Sequence, residues 1–178
     1  MDEVTLTAMA YHEAGHAVIG KYLDFPIKIV TLIPDSKTLG HAAFHWPAAP
    51  NDLNDPFQRV MFEDAAVTAF AGPLAEERYL GSRHGLSSMG DYEDAFLYLQ
   101  RFESDERIWN AWAAYLQERA RFFVCRHCRA WNEIKAVAQL LLERTTLSAA
   151  HIDAICKSVE DDEEILRRFD EEGRLEDA

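Results

Sequence analysis

The stretch TAMAYHEAGHAVIGKYLD, residues 7–24, decides how the rest of the chain is read. Ala8, Ala10, Ala14, Ala17, Val18 and Leu23 favour a helix, and Pro26 closes it. Inside it lies His12-Glu13-Ala14-Gly15-His16, an HExxH pattern. On a helix, positions i and i+4 share one face, a turn apart, so two imidazoles there can bind one metal ion. The glutamate beside the first histidine reaches a water on that metal. Zinc lowers the pKa of such a water to about 7. Glu13 would take its proton during attack on a carbonyl and pass it to the leaving amine. The small residues Ala14 and Gly15 let another backbone or a substrate come close. Five residues with two free positions also arise by chance on amphipathic helices, so the surrounding sequence has to carry the reading.

Outward from the helix, Ile27 to Ile33 is a β-branched run that reads as a strand ending at Pro34. Asp35 to Gly40 reads as a turn, His41 to Trp46 as a second strand paired with the first, and Pro47 to Asp55 as a loop. Asp55-Pro56 is a helix start, an acidic cap followed by proline at the first helical position. That helix is expected to reach Ala71, to break at Gly72-Pro73, and to resume as far as Leu80. Gly81 to Gly90, rich in glycine and serine, reads as a loop, and Asp91 opens another helix. Asp105 to Arg144 is helical in pattern, as one helix or two, and Ser148 caps a last helix. The fold class is therefore mainly α, a helical domain with a small β element beside the HExxH helix.

The chain has 178 residues and a net charge of −13. That length suffices for one domain with its own core. Residues 159–178 hold ten acidic and three basic side chains, so the reading is a domain over 1–158 and an acidic tail over 159–178. An acidic chain lacks the basic footprint that nucleic-acid binding needs. There is no apolar run of membrane-spanning length and no secretory leader, so no membrane span and a cytoplasmic location are expected. Three cysteines, Cys125, Cys128 and Cys156, read as reduced thiols in the core or on helix surfaces. Trp109, Trp112, Trp131, Phe122 and Phe123 read as packing or an oligomer face. The five other histidines, His41 and His45 among them, read as surface or packing residues.

The stretch Ala10 to Ala17 closely resembles the metal helix of the FtsH-type peptidase domain, the zinc peptidase half of the membrane-anchored AAA proteases. Further pieces follow in the same order: Lys28 to Pro34 with Leu39-Gly40, then Ala71-Gly72-Pro73-Leu74-Ala75-Glu76-Glu77, then Asp91 with Ala95, then Leu140 to Leu147. Together they span about residues 8 to 155. The resemblance implies a mainly helical zinc peptidase with His12, His16 and Asp91 as metal ligands and Glu13 as catalytic base. Three protein ligands and an open fourth position are what a catalytic zinc site requires. Three departures stand out. The approach to Asp91 is longer by about two residues, which makes Asp94 the competing carboxylate. Pro73 replaces the family's arginine. No ATPase module or membrane anchor is read in the sequence. Glu76 has two readings, as a residue orienting a histidine or as part of a solvated face; Glu77 reads as solvated. The function expected is ATP-independent zinc endopeptidase activity on flexible polypeptide substrates, which would pair with the Lys28–Ile33 strand. A catalytically silent FtsH-like regulatory or binding module is the alternative. A homo-oligomer and a separate ATPase partner stay open.

Overall fold

The structure, a computed structural model, describes residues 3–34, 40–45, 52–81 and 89–159. The first helix, α1 (Glu3–Tyr22), is the centre of the molecule. Ala10, Ala14, Ala17, Val18 and Ile19 are fully buried along it. Its small residues allow a close crossing with α2 (Pro56–Leu80). A Cβ on Gly15 would lie 2.7 Å from both the Ala71 carbonyl oxygen and the Ala75 Cβ. Asp24, at φ 60°, turns the chain out of α1 into the sheet.

The α2 helix starts as its sequence dictates. Asp55 caps it by accepting from the Phe57 amide at 2.9 Å, and Gly81 ends it in the left-handed region at φ 69°. The expected break at Gly72-Pro73 does not occur; one 25-residue helix runs through both residues. Proline removes one backbone donor and crowds the preceding turn, at a cost of about 3 kcal/mol. Burial outweighs that here, because every residue from Ala65 to Glu76 is buried. Packing overrides local propensity where a segment lies in the core.

The sheet has three antiparallel strands in the order β2-β1-β3: β1 (Ile27–Thr31), β2 (His41–Phe44) and β3 (Thr146–Ser148). Val30 lies opposite both Ala42 and Leu147. Val30, Phe44 and Leu147 are buried on the face toward α1. Both first strands are shorter than the sequence suggested, and Trp46, where β2 was expected to end, lies outside the described residues. β3 was not expected at all. It is three residues long and held by a non-local pairing with β1. Thr145 takes φ 63° to enter it, and its carbonyl accepts from the Leu32 amide at 2.8 Å.

The remaining helices are α3 (Met89–Gln100), α4 (Glu106–Arg121), α5 (Cys128–Arg144) and α6 over 149–159. Asp105 caps α4 and His127 caps α5 through its side chain, with a π-helical turn at Phe122–Arg126 between them. The long helical pattern of residues 105–144 is therefore two helices. Trp109 packs on Phe96 and Trp131 on Tyr11, so these aromatics serve packing. Cys125, Cys128 and Cys156 are free thiols. The turn expected over 35–40 and the loop over 81–90 fall largely outside the described residues, as does all of the acidic tail except Val159. Among the described residues, no helix is long and apolar enough to cross a membrane.

Candidate metal centre

His12 and His16 project from α1 as the i, i+4 spacing requires, and both are buried. Their Nε2 atoms lie 3.1 Å apart. Asp91, at the N-terminal turn of α3, brings one carboxylate oxygen to 3.0 Å from His12 Nε2 and the other to 3.2 Å from His16 Nε2. Among the described residues these three form the one group of histidine, cysteine or carboxylate side chains able to hold a metal ion. Asp94, the competing carboxylate, lies one turn further along α3 and is exposed.

The outer nitrogens are also fixed. His12 Nδ1–H donates to Glu76 Oε2 at 2.9 Å, and His16 Nδ1–H donates to the Thr68 carbonyl at 2.8 Å. A carbonyl only accepts, so the proton sits on Nδ1 and the neutral imidazole offers its Nε2 lone pair to the common point. Of the two readings of Glu76, the histidine-orienting one matches this geometry. Glu77 differs from its expectation: it is half-buried and 3.8 Å from Arg121.

The donor set fits a divalent cation. Four ligands on zinc at bond lengths of 2.0–2.1 Å stand about 3.3 Å apart in a regular tetrahedron. The spacing of 3.0 to 3.2 Å is nearly that. Three carboxylates, Glu13, Glu76 and Asp91, face two imidazoles. Burial alone would lower the His12 pKa, but hydrogen bonds to Asp91 and Glu76 lift it from 6.5 to about 10. Burial likewise opposes the charge on His16, which the negative charge of Asp91 more than offsets. Burial would raise Asp91, yet the charge of His16 and hydrogen bonds from both imidazoles hold it well below its ordinary range. Without a metal, protons on the imidazoles balance the carboxylates; a divalent cation replaces them.

The sign follows for stability. His12 is raised, so its contribution is complete below pH 6.5 and lost as pH rises through about 10. Asp91 is ionised over that whole span and adds no slope. The metal-free protein is expected to lose thermal stability between pH 7 and 10, and the zinc-loaded protein, whose imidazoles are already neutral, is expected not to. Calorimetry with and without zinc checks this, and equal slopes would contradict it.

Glu13 is buried and points from α1 toward the sheet. A Cβ on Gly40, just before β2, would lie 3.3 Å from Glu13 Oε1 and 2.9 Å from the Thr31 carbonyl oxygen. Burial raises the Glu13 pKa, with the neighbouring imidazoles His12 and His16 opposing. A carboxylate above its ordinary range, beside a metal position, is a proton acceptor suited to neutral pH.

Two positions escaped the sequence reading. Thr68 acts through its backbone carbonyl, which no side-chain pattern reports. Gly72 leaves room for an imidazole: a Cβ there would stand 2.2 Å from His16 Nε2. Of the other histidines, His127 caps α5, His151 accepts from the Ser148 amide at 3.2 Å, and His84 lies outside the described residues. His41 is half-buried at the start of β2.

Removing the outer partner of His12 isolates its contribution. Glu76→Gln keeps the shape and removes the charge. A partner of this kind is worth about 10- to 100-fold in metal affinity. Chelator competition should show a loss of that size with the fold intact. An unchanged affinity would mean that Glu76 serves packing alone.

Comparison with known proteins places this geometry in a lineage. Residues 1–95 match peptidase family M41. Curated relatives include the ATP-dependent zinc metalloprotease FtsH of Cupriavidus metallidurans, 34% identical over 97 residues, which are 53% of this chain and 14% of that protein. FtsH 2 of Methylacidiphilum infernorum is 36% identical over 57% of this chain and 15% of its own length. The rat ATP-dependent zinc metalloprotease YME1L1 is 33% identical over 53% and 13% respectively. The chain thus spans about one seventh of the relatives it matches. The matched half contains α1, β1, β2, α2 and the first turns of α3, which together supply every side chain of the candidate centre, and on that match the chain belongs to peptidase family M41.

Proposed function

We propose that this chain is a zinc-dependent endopeptidase that cuts flexible polypeptide segments, with His12, His16 and Asp91 holding the metal and Glu13 as the base. The observation that carries the reading is the convergence of two Nε2 atoms and one carboxylate within 4.8 Å, with Glu13 beside them on the same helix. Bound zinc would polarise a carbonyl and lower the pKa of water at neutral pH. Glu13 accepts the proton and returns it to the departing amine. Glu76 and the Thr68 carbonyl keep both imidazoles aimed.

The substrate strand is not the one expected from the sequence. β1 is central, paired with β2 on one side and β3 on the other, so it offers no free edge. Among the described residues β2 pairs with β1 alone, and its start abuts Glu13 through Gly40. An extended peptide adds to β2, as a fourth strand with its backbone over the metal position.

Such binding demands an unfolded stretch. Local opening costs from almost nothing in frayed loops up to the global stability in cores. In this reading the chain needs no ATP for substrates that are already flexible. The purified protein is expected to hold about one zinc, as single-site catalytic domains do. It should cleave casein, lose that activity to a chelator, regain it with zinc, and leave a hyperstable folded protein intact with or without ATP. Rapid degradation of the folded protein would overturn the substrate class. Zinc bound without cleavage of any flexible peptide would transfer the case to a binding module.

A further inference from the structure

The candidate centre occupies one end of β2, and the other end carries an open groove of about 370 Å³. His45, just past β2, forms one wall. Leu23 and Phe25 of the α1–β1 turn and Phe57, Val60 and Met61 of α2 supply its apolar lining, with Asp24 and Asp64 also on it. Phe57 is 78% exposed and Val60 51%, both large apolar side chains with water on one side. Volume and lining suit one or two apolar side chains.

Two independent rulers relate the groove to the metal position. Strands rise about 3.3 Å per residue, so His45 stands roughly 13 Å along the strand direction from His41. His41 follows Gly40, which lies against Glu13. Along α2, Thr68 holds His16. At 1.5 Å per residue, the apolar groove residues Met61 and Val60 lie roughly 10 and 12 Å back along the helix from Thr68. Both rulers put the groove three to four extended residues from the reacting carbonyl.

Direction follows from the sheet. Both strand pairs are antiparallel, and a sheet that keeps one pairing mode throughout is the favoured kind. A peptide added to β2 in that mode runs from the groove toward Glu13. The segment that reaches the groove is then N-terminal to the cut bond.

We propose that this groove is a distal specificity subsite: it takes a large apolar side chain of the polypeptide substrate, three or four residues before the scissile bond. The occupant is the substrate because the groove lies at the end of β2, the strand on which the reacting peptide lies in the peptidase reading. The proposal rests on the peptidase reading above. It adds a sequence preference to an enzyme whose backbone contacts with a substrate are otherwise indifferent to sequence.

The test uses quenched fluorescent peptides with one fixed cleavage sequence. One series carries Phe, Leu, Gly or Asp at the third and fourth positions before the cut; a truncated peptide ends two residues before it. Phe or Leu is expected to raise kcat/KM over Asp by roughly tenfold or more, the size expected for covering one large apolar side chain. In Val60→Asp and in Phe57→Asp, both exposed positions, the ratio of the Phe peptide to the truncated peptide should fall toward one. Cleavage of every peptide at similar kcat/KM overturns the subsite and leaves the peptidase reading standing. A preference on the C-terminal side of the cut overturns the antiparallel placement. No cleavage of any peptide by zinc-loaded protein overturns both readings.

Discussion

Glu13→Gln is expected to keep its zinc and to lose peptide hydrolysis by about 10²- to 10⁴-fold, the usual range for a positioned general base. The two effects separate because of where Glu13 stands. It neighbours His12 in sequence but does not belong to the three-residue metal group, which is His12, His16 and Asp91. Glutamine fills the same volume beside Gly40, whose Cβ would stand 3.3 Å from Glu13 Oε1. It removes only the ability to accept a proton. Burial raises the Glu13 pKa and the two imidazoles oppose this, which makes it a stronger proton acceptor than an exposed carboxylate. Metal analysis and casein hydrolysis on the same preparation decide the point. A Glu13→Gln protein that holds zinc and hydrolyses casein at the wild-type rate would sink the mechanism. Loss of zinc in this variant would mean that Glu13 supports the metal directly.

Gly72→Ala is expected to weaken zinc binding at least 100-fold, more than loss of the Glu76 charge. A methyl at position 72 would overlap the His16 ring, 2.2 Å from Nε2 and 2.5 Å from Cε1. The ring is held at its other nitrogen as well. Its Nδ1 is tied to Thr68 on the same helix, one turn before Gly72. Either the imidazole swings out and loses both its carbonyl and the metal, or α1 and α2 move apart. Gly15→Ala is the matched control, because its Cβ would crowd the same helix crossing at 2.7 Å from the Ala71 carbonyl oxygen and the Ala75 Cβ. Overpacking of that kind costs about 1–3 kcal/mol of stability. Both variants should therefore melt at lower temperature, but Gly72→Ala alone should lose zinc out of proportion to its stability. Chelator competition beside thermal melts measures the difference. Equal zinc affinity in Gly72→Ala and wild type would show that the ring adapts.

Much of this protein could be read before its structure. Helix α1 with its two imidazoles one turn apart is a local property, since periodicity alone puts positions 12 and 16 on one face. The Asp55-Pro56 start of α2 was legible for the same reason: capping chemistry acts over three or four residues. The resemblance singled out Asp91, 75 positions after His16, which periodicity alone could not do.

What stayed hidden was non-local. Gly72-Pro73 looks like a stop signal, and only the surrounding core makes continuation cheaper than a break. Three residues at Thr146–Ser148 carry too little pattern to announce a strand, yet their pairing with β1 turns the presumed substrate strand into a central one and, among the described residues, leaves β2 and β3 at the edges. Thr68 contributes a carbonyl and Gly72 an empty volume, neither of which is a property of residue type in a window. The sequence by itself determined which side chains are chemically able to hold a metal and move a proton. Only the tertiary structure decided which of them meet, what aims them, and which strand lies at the centre of the sheet, because those depend on contacts between segments far apart in the chain.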